Sequence, residues 1–342
     1  MIRIDGGRGE GGGQILRTSL FFSLVMREEV EVFNIRAKRD NPGLRPQHLA
    51  VLRAFTEVTE GRSENATIGS DRITFTPSTA VKSSLEIDVG TAGSITLILQ
   101  SLLPAISMRG LSCRIAVRGG TDTRWSPTFD YFKLVLEPAM EAVGIPFASR
   151  VYRRGYYPAG GGRVEAECHP ARKGAYVQLV GGPGSEEARI LSVCSKLPRS
   201  VATRQAESAA SLLQEAGIRV AELTVDESQS ESPGTSILVY HNETPSVFIG
   251  GDAVGERHLR AEEVGASAAK AFIPALAKRA SVDHHLADML VSVLALHGGG
   301  EMLTDESTEH LRTNLEVAKA FTGCSYEVST DGALCRVKVL GR

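Results

Sequence analysis

One arrangement recurs along this 342-residue chain and limits what it can become. A helix runs out at glycine and is followed by two short strands that read as a hairpin. Helix Gln47–Glu60 stops at Gly61 and precedes strands near Asn65–Ile68 and Arg72–Thr76. Helix Pro127–Val143 stops at Gly144 and precedes strands near Pro146–Arg153 and Gly162–Cys168. Helix Thr308–Phe321 ends near Gly323 and precedes strands near Ser325–Ser329 and Ala333–Val339. Each of these helices follows another helix and a strand, the earlier helices starting at Gly12, Thr91 and Asp283. The unit is about βαβαββ, used three times.

Residues 184 to 255 interrupt the series after the turn-rich Gly181-Gly182-Pro183-Gly184. Within them Ile190–Val193, Ile218–Val225, Thr235–Tyr240 and Ser246–Ile249 read as strands, and Arg199–Ala216 as a helix. The glycine run Gly250-Gly251 to Gly255 reads as the closing turn, and the return helix, Ala261–Arg279, as part of the larger unit. The expected fold is α/β in the α+β sense. A large domain of three βαβαββ repeats takes residues 1–183 and 256–342, and a small inserted α/β domain takes 184–255.

The net charge of −2 supplies no global basic field, so a nucleic-acid partner has to be gripped by a local patch, at an end rather than along a groove. Five cysteines without CxxC spacing argue for reduced thiols in the cytoplasm and against a zinc site. No signal peptide or membrane-length apolar run is found, and no membrane partner is expected.

Chemistry concentrates first at Asp5-Gly6-Gly7-Arg8-Gly9-Glu10-Gly11-Gly12-Gly13-Gln14, between a strand and an apolar helix. Glycines there let backbone approach a ligand, and free N–H groups at the helix start favour an anion. A tight turn required by the fold explains the glycines equally well. Glu10 and Arg17 favour the ligand, because a carboxylate beside phosphate needs a metal ion between them. The stretch is neither a Walker loop nor a dinucleotide fingerprint.

The loop from Asn34 to His48 packs Arg36, Lys38, Arg39 and Arg45 into ten residues and sets Gln47 and His48 in the first turn of the next helix. It is either a solvated basic loop or an anion site built from arginine forks. Gln100 is the polar exception on an apolar helix, Ile95–Leu103, where a lone glutamine is more often a satisfied core amide than a ligand. In Gly119–Pro127, Ser126 and Pro127 make a good N-cap and N1 pair, while Trp125, the only tryptophan, could offer an apolar face to a base. Tyr156–Gly162 is richer in glycine than a hairpin connection demands. Of eight histidines, six have easy structural explanations. His48 and His310 each begin a helix beside polar groups, where the dipole favours the neutral imidazole that a nucleophile needs, although taken alone His310 reads more readily as an ordinary surface histidine.

Three of these stretches, residues 9–17, 36–44 and 155–162, together resemble the RNA 3′-terminal phosphate cyclase family. Gly119–Asp122, Ala261–Gly265, Leu286–Asp288 and His310–Asn314 add matches in the right order over almost the whole chain. The resemblance implies a large domain of three repeats with a small insert. It implies ATP-dependent conversion of an RNA 3′-phosphate to a 2′,3′-cyclic phosphate through an adenylyl-histidine and an adenylated RNA end. His310 would be the nucleophile, and Glu10 the carboxylate for a divalent metal, Mg²⁺ or Mn²⁺. Arg17, Arg36, Arg39, Gln47 and His48 would contact phosphates, Gln100 and Asp288 would be further polar groups of the ATP site, and Pro127 and His285 would sandwich adenine. Members often carry tyrosine where this chain has His285.

Two other classes share such repeats. A non-catalytic, cyclase-like ribosome assembly protein would lack the histidine, and an enolpyruvyl transferase would use a different basic set and no covalent nucleotide.

Overall fold

The computed structural model describes residues 1–9, 11–172 and 174–341. The first repeat is β1 (Ile2–Asp5), α1 (Gly13–Met26), β2 (Val30–Phe33), α2 (Pro46–Thr59), β3 (Arg62–Glu64) and β4 (Ile73–Thr76). The second is β5 (Ser84–Asp88), α3 (Ile95–Met108), β6 (Cys113–Gly119), α4 (Phe129–Tyr131), a π-helical turn at Phe132–Leu136, α5 (Glu137–Ala142), β7 (Phe147–Arg153) and β8 (Gly162–Cys168). The third opens with β9 (Val177–Leu179). It is then broken by β10 (Glu187–Ser195), α6 (Arg199–Glu215), β11 (Arg219–Glu227), β12 (Gly234–His241), β13 (Ile249–Val254) and α7 (Ala261–Ala277). It resumes with α8 (His284–Leu294), β14 (Gly300–Thr304), α9 (Glu309–Thr322), β15 (Ser325–Asp331) and β16 (Leu334–Leu340).

The three sheets share one topology: β1-β2-β4-β3, β5-β6-β8-β7 and β9-β14-β16-β15. In each, the first two strands pair in parallel and the others antiparallel. The first helix of each repeat is largely apolar, α8 keeping His284, His285 and Asp288 in its first turns. Such a helix must be covered on most sides, and α1, α3 and α8 are the shared centre of the large core. Phe22 of α1 stacks on Phe321 of α9 at 5.3 Å, locking the first repeat onto the third.

The inserted sheet runs β11-β10-β12-β13. Strand β12 is buried along its whole length because alternate residues serve different cores. Ile237 and Val239 face the insert's own helices, whereas Leu238 and Tyr240 join the large core. Val264, Ala268 and Phe272 of α7 belong to the insert's core, so the return helix packs on the sheet before it, not on the larger unit to which the sequence pattern assigned it. Arg154, buried at the junction, donates to Asp122 and Asp130, and its backbone N–H bonds Gln229.

Several expected boundaries move for local reasons. β3 lies at residues 62–64, and the stretch expected as a strand at 65–68 is a turn held by Asn65 and Gly69 at positive φ. The glycines at 250 and 251 lie inside β13, not in a turn. A Cβ on Gly250 would press on the Tyr131 ring, and one on Gly251 on α7. Helix α3 starts at Ile95, because Ser94 Oγ accepts the Leu97 N–H at 3.2 Å. The α4 cap is Thr128, not Ser126, whose hydroxyl bonds back to Thr123. Pro138 has no N–H for the Leu134 carbonyl; the helix loosens into its π turn there, and Asn242 of the insert takes that carbonyl at 2.9 Å. Among the described residues no helix is long and apolar enough to cross a membrane. All five cysteines are free thiols.

Candidate active site

A cleft of about 2540 Å³ opens between the repeats and the insert. Its walls include Arg17, Arg36, Arg39, Gln47, His48, Gln100, Pro127, His285, Asp288 and His310. Every site residue singled out from the sequence is therefore on one surface, except Glu10, which lies outside the described residues.

The glycine turn forms one end. Gly9 and Gly11 have positive φ, and a Cβ on Gly9 would collide with Thr313 Oγ1, one turn of α9 beyond His310. The basic loop closes over the same turn: Lys38 Nζ donates to the Gly9 carbonyl at 3.3 Å. Gly12 is the N-cap of α1 and brings no side-chain acceptor, so the first turn of α1, which lines the cleft, has no capping side chain among the described residues. Arg17 is held against Gln14 Oε1 at 2.5 Å.

His48 is buried, and the Arg45 N–H donates to its Nδ1 at 3.1 Å. That bond puts the neutral ring's proton on Nε2, which faces Gly13. Burial, followed by the charges of Arg17, Arg36 and Arg45, pushes its pKa down to about 3, so the ring is a neutral donor at any ordinary pH. Gln47 is engaged otherwise than the resemblance suggests. Its Oε1 accepts the Ser94 N–H at 2.6 Å and its Nε2 donates to the Ser94 carbonyl at 3.1 Å, tying α2 to the start of α3. Gln100 Oε1 is buried with no hydrogen-bond partner among the described residues, which is not the satisfied core amide that its apolar helix suggests.

His310 is the second residue of α9, exposed in the cleft, with Thr308 as the cap. Thr308 Oγ1 donates to Asp288 Oδ1 at 2.6 Å. Asn314 Nδ2 donates to the Asp288 carbonyl, and Thr18 Oγ1 to Asn314 Oδ1. One chain of bonds thus joins α1, α8 and α9. Burial pushes Asp288 up to about 7, against the Thr308 bond and the nearby His310. His284 pairs with Asp305 at 3.0 Å and is raised to about 9 mainly by that bond. The neighbouring His285 ring, 4.2 Å away, is lowered to about 4 by the crowding walls of the cleft and then by His284 and His310, although its outer surface meets water. Sequence reasoning passed over Thr308, Thr18 and Asp305. The only signal for Thr308 was its place as a helix cap.

A family model described as RNA 3′-terminal phosphate cyclase matches residues 8–328. Similar proteins named RNA 3′-terminal phosphate cyclase occur in Pyrobaculum aerophilum, 38% identical over 99% of this chain and 98% of that one. Others are in Thermococcus kodakarensis, 41% identical over 96% and 94%, and Pyrococcus abyssi, 40% identical over 100% and 99%.

Proposed function

The chain belongs to the RNA 3′-terminal phosphate cyclase family, and on that footing we propose that it uses ATP to convert an RNA 3′-phosphate into a 2′,3′-cyclic phosphate. The supporting observation is that His310 opens onto the cleft that also holds Arg17, Arg36, Arg39 and His48, beside a turn that only glycine lets close on α9.

These residues fit a polyphosphate. The first turn of α1, three guanidinium groups and the His48 Nε2–H supply donors and positive charge where phosphate oxygens would lie. The unpartnered Gln100 Oε1 offers an acceptor to a sugar hydroxyl, and Pro127 and His285 offer faces for adenine. Gln47 serves by fixing the Ser94 turn.

In the proposed first step an imidazole nitrogen of His310 attacks the α-phosphorus of ATP. The N–P bond forms as the bond to the bridging oxygen breaks, and pyrophosphate leaves with its charge met by the arginines. An oxygen of the RNA 3′-phosphate next takes the AMP, breaking the N–P bond. The 2′-OH then attacks the activated 3′-phosphorus, loses its proton and expels AMP. Among the described residues no three acidic, His or Cys side chains converge as a metal site. A divalent cation carried by the nucleotide would add charge neutralisation at these same phosphates.

The test incubates the protein with ATP, Mg²⁺ and RNA ending in a 3′-phosphate. Acid-labile adenylation of the protein together with phosphatase-resistant RNA ends is expected. The absence of both would overturn the proposal.

A further inference from the structure

We propose that the outer end of the cleft, between the Trp125 loop and the Glu256–Arg260 run entering α7, grips the single RNA strand that leads to the 3′ end; this rests on the RNA-end function above. Trp125, Tyr157, Arg257 and Arg260 all line the cleft.

Trp125 is 85% exposed and sits at φ 65°. A large side chain at positive φ is strained, and an indole left this open buries little apolar surface to offset it. Its ring is nevertheless positioned: the Arg124 guanidinium lies 4.7 Å from the ring centre and is itself held by Glu256 at 3.2 Å. Arg124 thus spans from the Trp125 loop to the insert and braces the indole. Tyr157, 80% exposed, presents a second bare ring to the same cleft. Open aromatic rings stack nucleobases of any identity.

Charge selects the same partner. Residues Glu256–Arg260 are exposed throughout. Arg124 neutralises Glu256, whereas Arg257 and Arg260 have no acidic partner in ion-pair range among the described residues. Two guanidinium groups outside any ion pair, in one cleft with bare rings, match a single strand, with bases for the rings and phosphates for the arginines. On a chain of net charge −2 this is a local grip at the cleft mouth, as a terminus-binding protein requires.

Trp125 is the only tryptophan, so its fluorescence reports this spot alone. A short single-stranded oligoribonucleotide with a 3′-phosphate, titrated without ATP, is expected to quench it, and ATP with Mg²⁺ alone to leave most of the emission. Arg257→Ala with Arg260→Ala is expected to weaken oligonucleotide binding about tenfold and to flatten the log-affinity against log-salt slope by about 1.4. Trp125→Ala should raise the RNA KM about tenfold and Trp125→Phe should restore most of it. Self-adenylation by ATP should hold in all three. Quenching by ATP but not by RNA, or equal losses in adenylation, would assign this wall to the nucleotide and sink the proposal. Normal adenylation with unchanged RNA binding defeats only the proposed strand grip; loss of adenylation in the wild type defeats the parent function as well.

Discussion

Thr308 Oγ1 sits 2.6 Å from Asp288 Oδ1 while also accepting the Leu311 N–H, so a single hydroxyl both caps α9 and fastens it to α8. His310 is two residues further on. Thr308→Val removes both bonds at nearly constant volume. A stability loss of about 1–2 kcal/mol is expected from the lost cap and the stranded carboxyl. Because α9 would then shift relative to the glycine-turn end of the cleft, the self-adenylation rate should fall more than the ATP KM rises. Thr308→Ser keeps both bonds and should restore the rate. A valine variant with a normal rate would show that this hydroxyl does not position His310.

The second prediction bears on His310 directly. His310→Ala is expected to abolish transfer of label from α-³²P-ATP to the protein, with little change in melting temperature, since the side chain is exposed. Label retained at the wild-type level would remove His310 from the proposed mechanism. Arg39→Ala should weaken ATP use and leave the fold intact.

Legibility from the sequence followed the physics of each signal. The three repeats could be read because every unit ends in the same local punctuation, a helix stopped near Gly61, Gly144 or Gly323 and then a hairpin. The glycines at 250 and 251 misled, because close packing against Tyr131 and α7 leaves the same letter in the chain as a turn. The place of α7 was illegible because an amphipathic helix does not say which sheet covers its apolar face. In the cleft, residues carried by unusual local sequence, the glycine turn and the arginine loop, were visible. The bond from Thr308 to Asp288 spans twenty residues and joins two ordinary-looking polar side chains, so nothing local marked it.

A third prediction concerns pH. Asp305 raises His284 to about 9, so the folded state holds this proton more tightly than the unfolded chain, whose histidine titrates near 6.5. The contribution of the His284 proton is fully present below about pH 6.5, as long as Asp305 stays ionised, and is lost as pH rises through about 9. A loss on the order of 2 kcal/mol over that window is expected in chemical denaturation. Asp305→Asn should flatten the window by lowering stability at its acid end. A wild-type curve that is flat from about pH 6.5 to 9 would contradict the assignment.

The last prediction tests the fit between the glycine turn and His48. Gly13 has ordinary backbone angles, so alanine there strains nothing by conformation. Its Cβ would collide with His48 Nε2 and lie 3.4 Å from an Arg17 nitrogen. The His48 ring has little freedom to yield, being buried and held at Nδ1 by the Arg45 N–H. Gly13→Ala should therefore displace the donor atom, or α1 itself, at a cost of about 1–3 kcal/mol. If Nε2 donates to the nucleotide, the ATP KM for self-adenylation should rise at least tenfold in a protein that still melts cooperatively. A variant with the expected loss of stability but an unchanged KM would make His48 a strut of the fold rather than a phosphate donor.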